Sequence, residues 1–586
     1  MKKRTIKKIS IFVIAECFKA IFRLLMFALV VYAAGRIIAF QTRKKPLEKG
    51  TYVQLKLADK IPESKLLTPF DIRKETNFYG FLEAIKKIEN DERVQGLILN
   101  FDDIKINNAQ IEELIDKLEE FKKSNKKIYA YAPSFTNNNY MVASVADRVI
   151  MPNTMSAVSN LKGYFIDIPY LKAVGDRFGV KMNIIHIGRY KSAGENYVRN
   201  KMSDEFRENT KQLLDTKYDN FVSVVAKNRN IDEKVLDKKI LSGDLVLVDP
   251  RTMMDNKLID EMIYYDQFLE KQGIDKEKVI GMAEYLSRLQ ADKKEEETEE
   301  EKQQPKIAIV YAEGTIKYSN NEKDFEKSIT PDLIIKRLKI AEKDESIKGI
   351  VLRINSPGGS ALASDIIYNT VKNLSKPVYI SMGGVAASGG YYMATAGDKI
   401  YADNGTVTGS IGVVTMIPNI SGLIDKSDVN YSYISKGKYN NIGSLIYEMT
   451  DEEKEKIIIS SEKVYNEFVE KVSLGRKLKK EDVLKIAEGR VWLGKDAVKI
   501  GLVDEIGGIE KTISDLAKDL NLKEYKTIES LKEEKIESVI KNYLPKYLMA
   551  KVIGNNKILE SVKSINVIDD ELLFKPILYA PNIIRK

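Results

Sequence analysis

Short apolar runs alternate with amphipathic stretches along most of this chain, and the same series occurs twice. In the first half, helical spacing of apolar residues over 81–89 precedes an apolar run at 96–100, a second helical pattern at 111–124 and another run at 127–131. In the second half, helical patterns at 331–343 and 361–374 alternate with apolar runs at 349–355 and 377–382. A further strand pattern opens each series, at 51–59 and at 307–311. Short continuous apolar runs bounded by turn residues suit strands buried on both faces, and the 3.6-residue period between them marks the crossover helices. Strands joined by crossover helices predict a parallel sheet covered on both sides, an α/β fold.

The two series are copies at residue level. Asp91-Glu92-Arg93-Val94-Gln95-Gly96-Leu97-Ile98-Leu99 stands opposite Asp344-Glu345-Ser346-Ile347-Lys348-Gly349-Ile350-Val351-Leu352. Further on, Asn139-Tyr140-Met141-Val142-Ala143 faces Tyr391-Tyr392-Met393-Ala394-Thr395, and Gly188-Arg189-Tyr190-Lys191 faces Gly437-Lys438-Tyr439-Asn440. The copies differ where chemistry could reside. The second has Ser388 where the first has Thr136, and the first has Lys191 where the second has Asn440. A length of 586 residues exceeds one ordinary domain, and the repeat supplies the division. We expect a first repeat at 46–290, a charged linker at 291–305, a second repeat at 306–520 and a C-terminal extension at 521–586. Residues 1–45 precede them.

Composition narrows the chemistry. With 44% apolar and 31% charged residues the chain is that of a folded globular protein. The net charge of +9 comes from lysines interleaved with acids, so no basic stripe supports a nucleic-acid partner. Cys17 is the sole cysteine, which excludes an intrachain disulfide, a Cys-rich zinc site and a Cys–His protease. The sole histidine, His186, sits in the alternating run 182–187 and reads as a packed strand residue. Any hydrolytic chemistry must then proceed without imidazole, and no metal is expected. The first residues, Met1-Lys2-Lys3-Arg4, lead into an apolar stretch that we read as one transmembrane anchor over roughly 20–40, with Arg36 snorkelling to the surface. Seven Lys/Arg before or entering it favour a cytoplasmic N-terminus, with the body outside the cytoplasm.

Three segments carry candidate chemistry. Around Ser388 a buried strand is expected to end in a Gly383-Gly384 turn, with a helix beginning near the serine. A serine there meets free amides and the positive end of the helix dipole, although an ordinary capping serine would look the same locally. Asn355-Ser356-Pro357-Gly358-Gly359-Ser360 lies between a strand and a helix, where the amides of Gly358 and Gly359 could form an oxyanion hole. The first copy has Asp103-Ile104-Lys105-Ile106 there, so the glycines occur only where the serine occurs. Lys191 lies among small and aromatic residues. To accept a proton near neutrality its pKa must fall by ~3 units, a cost of ~4 kcal/mol that burial would supply.

Gly188-Arg189-Tyr190-Lys191-Ser192-Ala193, Asn355-Ser356-Pro357-Gly358-Gly359-Ser360, Ala386-Ala387-Ser388-Gly389-Gly390-Tyr391, Thr408-Gly409-Ser410-Ile411-Gly412 and Gly489-Arg490-Val491-Trp492-Leu493-Gly494 stand in this order. Together they resemble the signal peptide peptidase A family in its long, duplicated, membrane-anchored form. The resemblance implies two tandem ClpP/crotonase-like domains, a Ser388 nucleophile and a Lys191 general base. It also implies oxyanion donors at Gly358, Gly359 and Gly389, and a Ser410 hydroxyl that orients the lysine. No cofactor is implied. The implied substrates are signal-peptide remnants and other apolar peptides, and the implied assembly is a homo-oligomer, commonly a tetramer, on the bacterial inner membrane. Two other readings share the fold: a crotonase-like acyl-CoA enzyme, and a catalytically silent membrane scaffold.

Overall fold

The computed structural model describes residues 46–57, 60–64, 76–101, 104–292, 303–319, 328–529 and 577–579, together with Met26. The expected anchor, Met26 apart, and the charged run 293–302 lie outside the described residues. Among the described residues no helix is long and apolar enough to cross a membrane.

The first series forms β1 (Thr51–Lys56), α1 (Phe78–Glu89), β2 (Val94–Asn100), α2 (Asn108–Lys122), β3 (Lys127–Tyr131), α3 (Asn137–Ala143) and β4 (Arg148–Met151). These strands pair in parallel in the order β4-β3-β2-β1, with Glu261–Met262 beyond β4 and Val279–Gly281 beyond β1. Between β4 and those flanking strands run β5 (Lys181–Ile187) and the long α4 (Asp204–Arg229). The second series forms β6 (Lys306–Glu313), α5 (Pro331–Lys343), β7 (Ile347–Ser356), β8 (Gly358–Ser360), α6 (Ala361–Lys372), β9 (Val378–Ala387), α7 (Gly389–Ala394) and β10 (Lys399–Ala402). Its parallel order is β10-β9-β7-β6, flanked by Glu505–Ile506 and Lys526–Ile528. All six strands of the first sheet thus have a counterpart in the second, which adds Val407–Gly409 and Val491–Leu493. The chain is a mixed α/β protein built from a repeated unit.

The elements form where the pattern places them. Asn107 caps α2 by accepting from the Gln110 N–H, while the Gln110 side chain returns to the Asn107 N–H. Pro331 opens α5, where a missing N–H costs nothing. One expectation fails. Gly383 and Gly384 are not a turn; β9 runs through them to Ala387. A Cβ on Gly384 would lie 2.7 Å from the Asn107 side chain, and one on Gly383 would lie 3.2 Å from Asn355 and Glu63. The glycines permit close approach of the first repeat to an extended strand, and β9 changes partner there, from β10 at Tyr379–Ser381 to β11 (Val407–Gly409) at Val385–Ala387.

The repeats share a core. Val53, Leu97, Leu99 and Phe121 belong to one buried cluster with Ile309, Tyr311, Val351, Tyr379 and Tyr401. A buried polar seam runs beside it, where Arg353 on β7 meets Glu63 and Glu113 of the first repeat. Glu112, on the same helix as Glu113, accepts from Asn220 Nδ2 at 2.7 Å, and burial pushes its carboxyl up to about 7. The native state therefore holds this proton more tightly than the unfolded chain. Its contribution to stability is full below about pH 4.5, the unfolded value, and is lost as pH rises to about 7. Chemical unfolding of the wild type and of Glu112→Gln between pH 5 and 8 should show a shallower loss in the variant, by up to ~1.4 kcal/mol per pH unit.

Candidate active site

Ser388 sits between β9 and α7 with φ 55° and ψ −118°, backbone that a residue with a Cβ rarely adopts. Its N–H donates to the Gly409 carbonyl at 2.8 Å and its carbonyl accepts from Tyr392 at 2.8 Å, so both ends of the residue are fixed. Its side chain is fully buried at the start of α7, where the first amides have no partner within the helix. The corresponding Thr136 starts α3 with an ordinary extended φ of −112°, and its hydroxyl bonds Asn139 in a capping box. The copies share a helix start, but the strained turn exists only at Ser388. Crowding explains the glycines that follow it: a Cβ on Gly389 would lie 2.6 Å from Ser364 Oγ, and one on Gly390 would lie 2.8 Å from the Ser356 carbonyl.

Lys191 reaches this serine because β5 crosses to the second repeat. It pairs antiparallel with β12 (Val413–Asn419), with His186 against Val414. The turn after β5 uses Gly188 at φ 109°, and the Tyr190 N–H donates to the Glu488 carbonyl at 2.8 Å. Gly489 then lies directly on the lysine's backbone, since a Cβ there would come within 2.6 Å of the Lys191 N and Cα. Gly489 in turn donates to the Ile411 carbonyl at 2.7 Å, and the Ser410 N–H donates to the Arg490 carbonyl at 2.8 Å. The segment 488–490 therefore clamps Lys191 and Ser410 together.

The Lys191 Nζ lies 2.7 Å from Ser388 Oγ, 3.0 Å from Ser410 Oγ and 2.9 Å from the Ser410 carbonyl oxygen. It is 1% exposed, and burial holds its pKa well below the usual 10.5 of a lysine. These three contacts are all to neutral oxygens, which offset the desolvation of an ammonium less than a carboxylate would. His186 is engaged elsewhere, with Nε2 2.9 Å from the Ala193 carbonyl oxygen. Asn440, the counterpart of Lys191, is exposed.

The paired glycines flank the serine. Gly358 and Gly359 have φ 106° and 150°, and a Cβ on Gly359 would lie 2.0 Å from the Ile316 carbonyl oxygen. The Gly358 N–H donates to Ser356 Oγ at 3.1 Å, an internal acceptor that a substrate oxyanion would have to replace. A Cβ on Gly389 would lie 3.3 Å from the Gly359 nitrogen, so those two residues adjoin at Ser388. All six site residues expected from the sequence come together here. Sequence reasoning missed the clamp at 488–490 and the Ser356 contact. Gly489 was visible as part of a motif, but nothing in the sequence linked it to Lys191. Among the described residues no cluster of His, Cys, Asp and Glu could hold a metal ion.

The chain is similar to known peptidases along most of its length. The model of Peptidase family S49 matches twice, at residues 120–261 and 371–523, and that of Clp protease matches 299–404. Protease 4 of Haemophilus influenzae is 33% identical over 76% of this chain and 73% of its own. The chloroplastic serine protease SPPA of Arabidopsis thaliana is 32% identical over 74% of this chain and 64% of its own. Protease 4 of Salmonella typhi is 27% identical over 78% and 74%.

Proposed function

Since the chain belongs to peptidase family S49 and is a serine peptidase of the signal peptide peptidase A type, we propose that Ser388 is its nucleophile and Lys191 its general base. The observation that carries this reading is the 2.7 Å approach of a buried lysine amine to a serine hydroxyl on a strained turn. A neutral Lys191 accepts the Ser388 proton while Oγ attacks the peptide carbonyl carbon. Amides at Gly359 and Gly389, with Gly358 once it leaves Ser356, hold the oxyanion. The lysine returns the proton to the departing amine. It then draws a proton from the water that opens the acyl-enzyme and passes it to the departing Ser388 Oγ. Ser410, bonded to Nζ through two oxygens, aims the amine at the nucleophile. The acyl-CoA and scaffold readings leave this buried pair without a task.

The proposed substrates are signal-peptide remnants and other apolar peptides. In this reading the apolar segment near 20–40 anchors the enzyme in the bacterial inner membrane, with its catalytic body outside the cytoplasm and in contact with lipid. The enzyme works as a homo-oligomer, a tetramer in this proposal. The two repeats, 46–290 and 306–520, each supply one member of the pair.

A serine-reactive phosphonate tests the central claim. The adduct should map by mass spectrometry to Ser388 and vanish in Ser388→Ala. In Lys191→Ala it should form far more slowly. Labelling of another serine would sink the assignment. Gly489→Ala offers a subtler check, because the added methyl must push the lysine backbone. A displacement near 1 Å costs ~10²-fold in rate, so kcat should fall by about that factor while KM for an apolar peptide changes little.

A further inference from the structure

Helix α4 belongs to the first repeat, yet one face of its first turns grips the part of the second repeat that carries the clamp. Buried Asn209 bonds both main-chain groups of one residue of β13 (Val491–Leu493). Its Oδ1 accepts from the Val491 N–H at 2.9 Å and its Nδ2 donates to the Val491 carbonyl at 2.8 Å. A side-chain amide offers an acceptor and a donor together, so Asn209 serves that edge as a further strand would. On its other edge β13 pairs antiparallel with β11, which sets Val491 opposite Gly409. The Gly409 carbonyl accepts the Ser388 N–H and the Arg490 carbonyl accepts the Ser410 N–H, each at 2.8 Å. Asn209 therefore holds the residue that lies opposite one of these acceptors and next to the other.

A second hold lies beside it. Arg490 Nη2 donates to Glu208 Oε1 at 2.9 Å and to Gln212 Oε1 at 2.6 Å. The guanidinium carbon is 4.7 Å from the Tyr190 ring centroid and 5.0 Å from that of Trp492. The other Glu208 oxygen accepts from the Tyr190 hydroxyl at 3.1 Å. Glu208 thus ties the residue before Lys191 to the residue after Gly489. The second repeat has a helix of the same length, Asp451–Arg476, and each helix ends in an arginine paired with an aspartate, Arg229 with Asp260 and Arg476 with Asp504. Matched position for position, that helix carries exposed Lys456 and Ile459 where α4 carries Asn209 and Gln212. The gripping face exists only on the helix that adjoins the Lys191–Ser388 pair.

We propose that Asn209 is a positioning residue for the peptidase reaction, holding through Val491 the segment that fixes Ser410 and Lys191 against Ser388, with the Arg490 guanidinium as its second hold. This rests on the Ser388–Lys191 reading above. In this arrangement α4 carries the register of the first repeat to the base and the nucleophile at once, through main-chain bonds on either side of β13.

The test uses the full-length enzyme and its Asn209→Ala and Arg490→Lys variants, with kcat expressed per site titrated by the serine-reactive phosphonate. A residue that only supports the fold would lower the thermal midpoint or the fraction of molecules that titrate, and would leave the turnover of each titrated site unchanged. A positioning residue lowers that turnover. Because small displacements of reacting groups are costly, Asn209→Ala should lose about tenfold or more in kcat per titrated site, with KM for an apolar peptide unchanged. Arg490→Lys keeps the charge but loses the planar fork, so a several-fold loss in the same quantity is expected. Wild-type turnover per titrated site in Asn209→Ala would overturn the inference. Should Asn209→Ala fail to fold, Arg490→Lys decides: a several-fold loss at constant KM supports the inference, and wild-type turnover overturns it. Labelling of the wild type at a residue other than Ser388 would instead overturn the peptidase reading beneath it.

Discussion

Lys191→Arg should abolish peptide hydrolysis as completely as Lys191→Ala, each by about 10³-fold or more in kcat, because each removes the proposed general base. Retention of charge is the reason that arginine fails. A guanidinium does not deprotonate in proteins, so it cannot accept the Ser388 proton. It would also bring a larger planar group into a space where Nζ already has three oxygen neighbours within 3.0 Å. The same logic fixes the pH profile. With its pKa held well below 10.5 by burial, Lys191 becomes competent as pH rises, so kcat/KM should climb through an apparent pKa below the ordinary lysine value and then level off. Ser410→Ala tests the orienting contact: it removes one of three Nζ partners, so kcat should fall while the phosphonate adduct still maps to Ser388. A Lys191→Arg enzyme with substantial activity, or a rate that declines with rising pH, would refute the proton-acceptor role.

Much of this fold is legible in the sequence because the same signal occurs twice. Apolar runs at 127–131 and helical periodicity at 331–343 coincide with β3 and α5, since both are bounded by residues that stop or start an element locally. Gly383-Gly384 misleads for a physical reason. Paired glycines mark turns when only neighbours in sequence are considered, but here Gly384 answers to Asn107 and Gly383 to Glu63 and Asn355, residues distant in sequence. The site was legible in its residues and not in its geometry. A single histidine, His186, that reads as a packed strand residue, and the complementary differences at Thr136 and Asn440 point to Ser388 and Lys191, yet neither gives a distance. What brings them together is the pairing of β5 with β12, between strands whose alternating patterns carry no record of their partner. The clamp at 488–490 was illegible for a similar reason: its main-chain hydrogen bonds have no side-chain signature, and a glycine at 489 does not by itself name Lys191 as its neighbour.

The largest effect on stability is expected from Arg353→Ala. The Arg353 side chain is wholly buried, with Nε 3.0 Å from Glu63 Oε2 and Nη2 2.6 Å from Glu113 Oε1. Nη1 donates to Ser381 Oγ at 2.9 Å and to the Met382 carbonyl at 3.1 Å. The carboxylates are tied in as well: Glu63 accepts from Gln110 Nε2 at 3.1 Å, and Glu113 accepts from the Ile509 N–H at 2.7 Å. Removing the guanidinium leaves two carboxylates facing each other in the seam between the repeats, a loss of about 3–5 kcal/mol for a broken buried pair. Burial already pushes the Glu113 carboxyl upward, to about 7, and loss of the cation would push it further. The variant should therefore be least stable relative to wild type at alkaline pH and should recover part of the difference as pH falls and Glu113 takes up a proton. Urea unfolding at pH 5.5 and 8 would read this directly. Adding Glu113→Gln to Arg353→Ala should restore part of the stability at pH 8 and less at pH 5.5, because it removes a buried charge that exists mainly at the higher pH. Equal destabilisation at both pH values would show that the penalty is lost packing, and that the seam is held by shape rather than by charge.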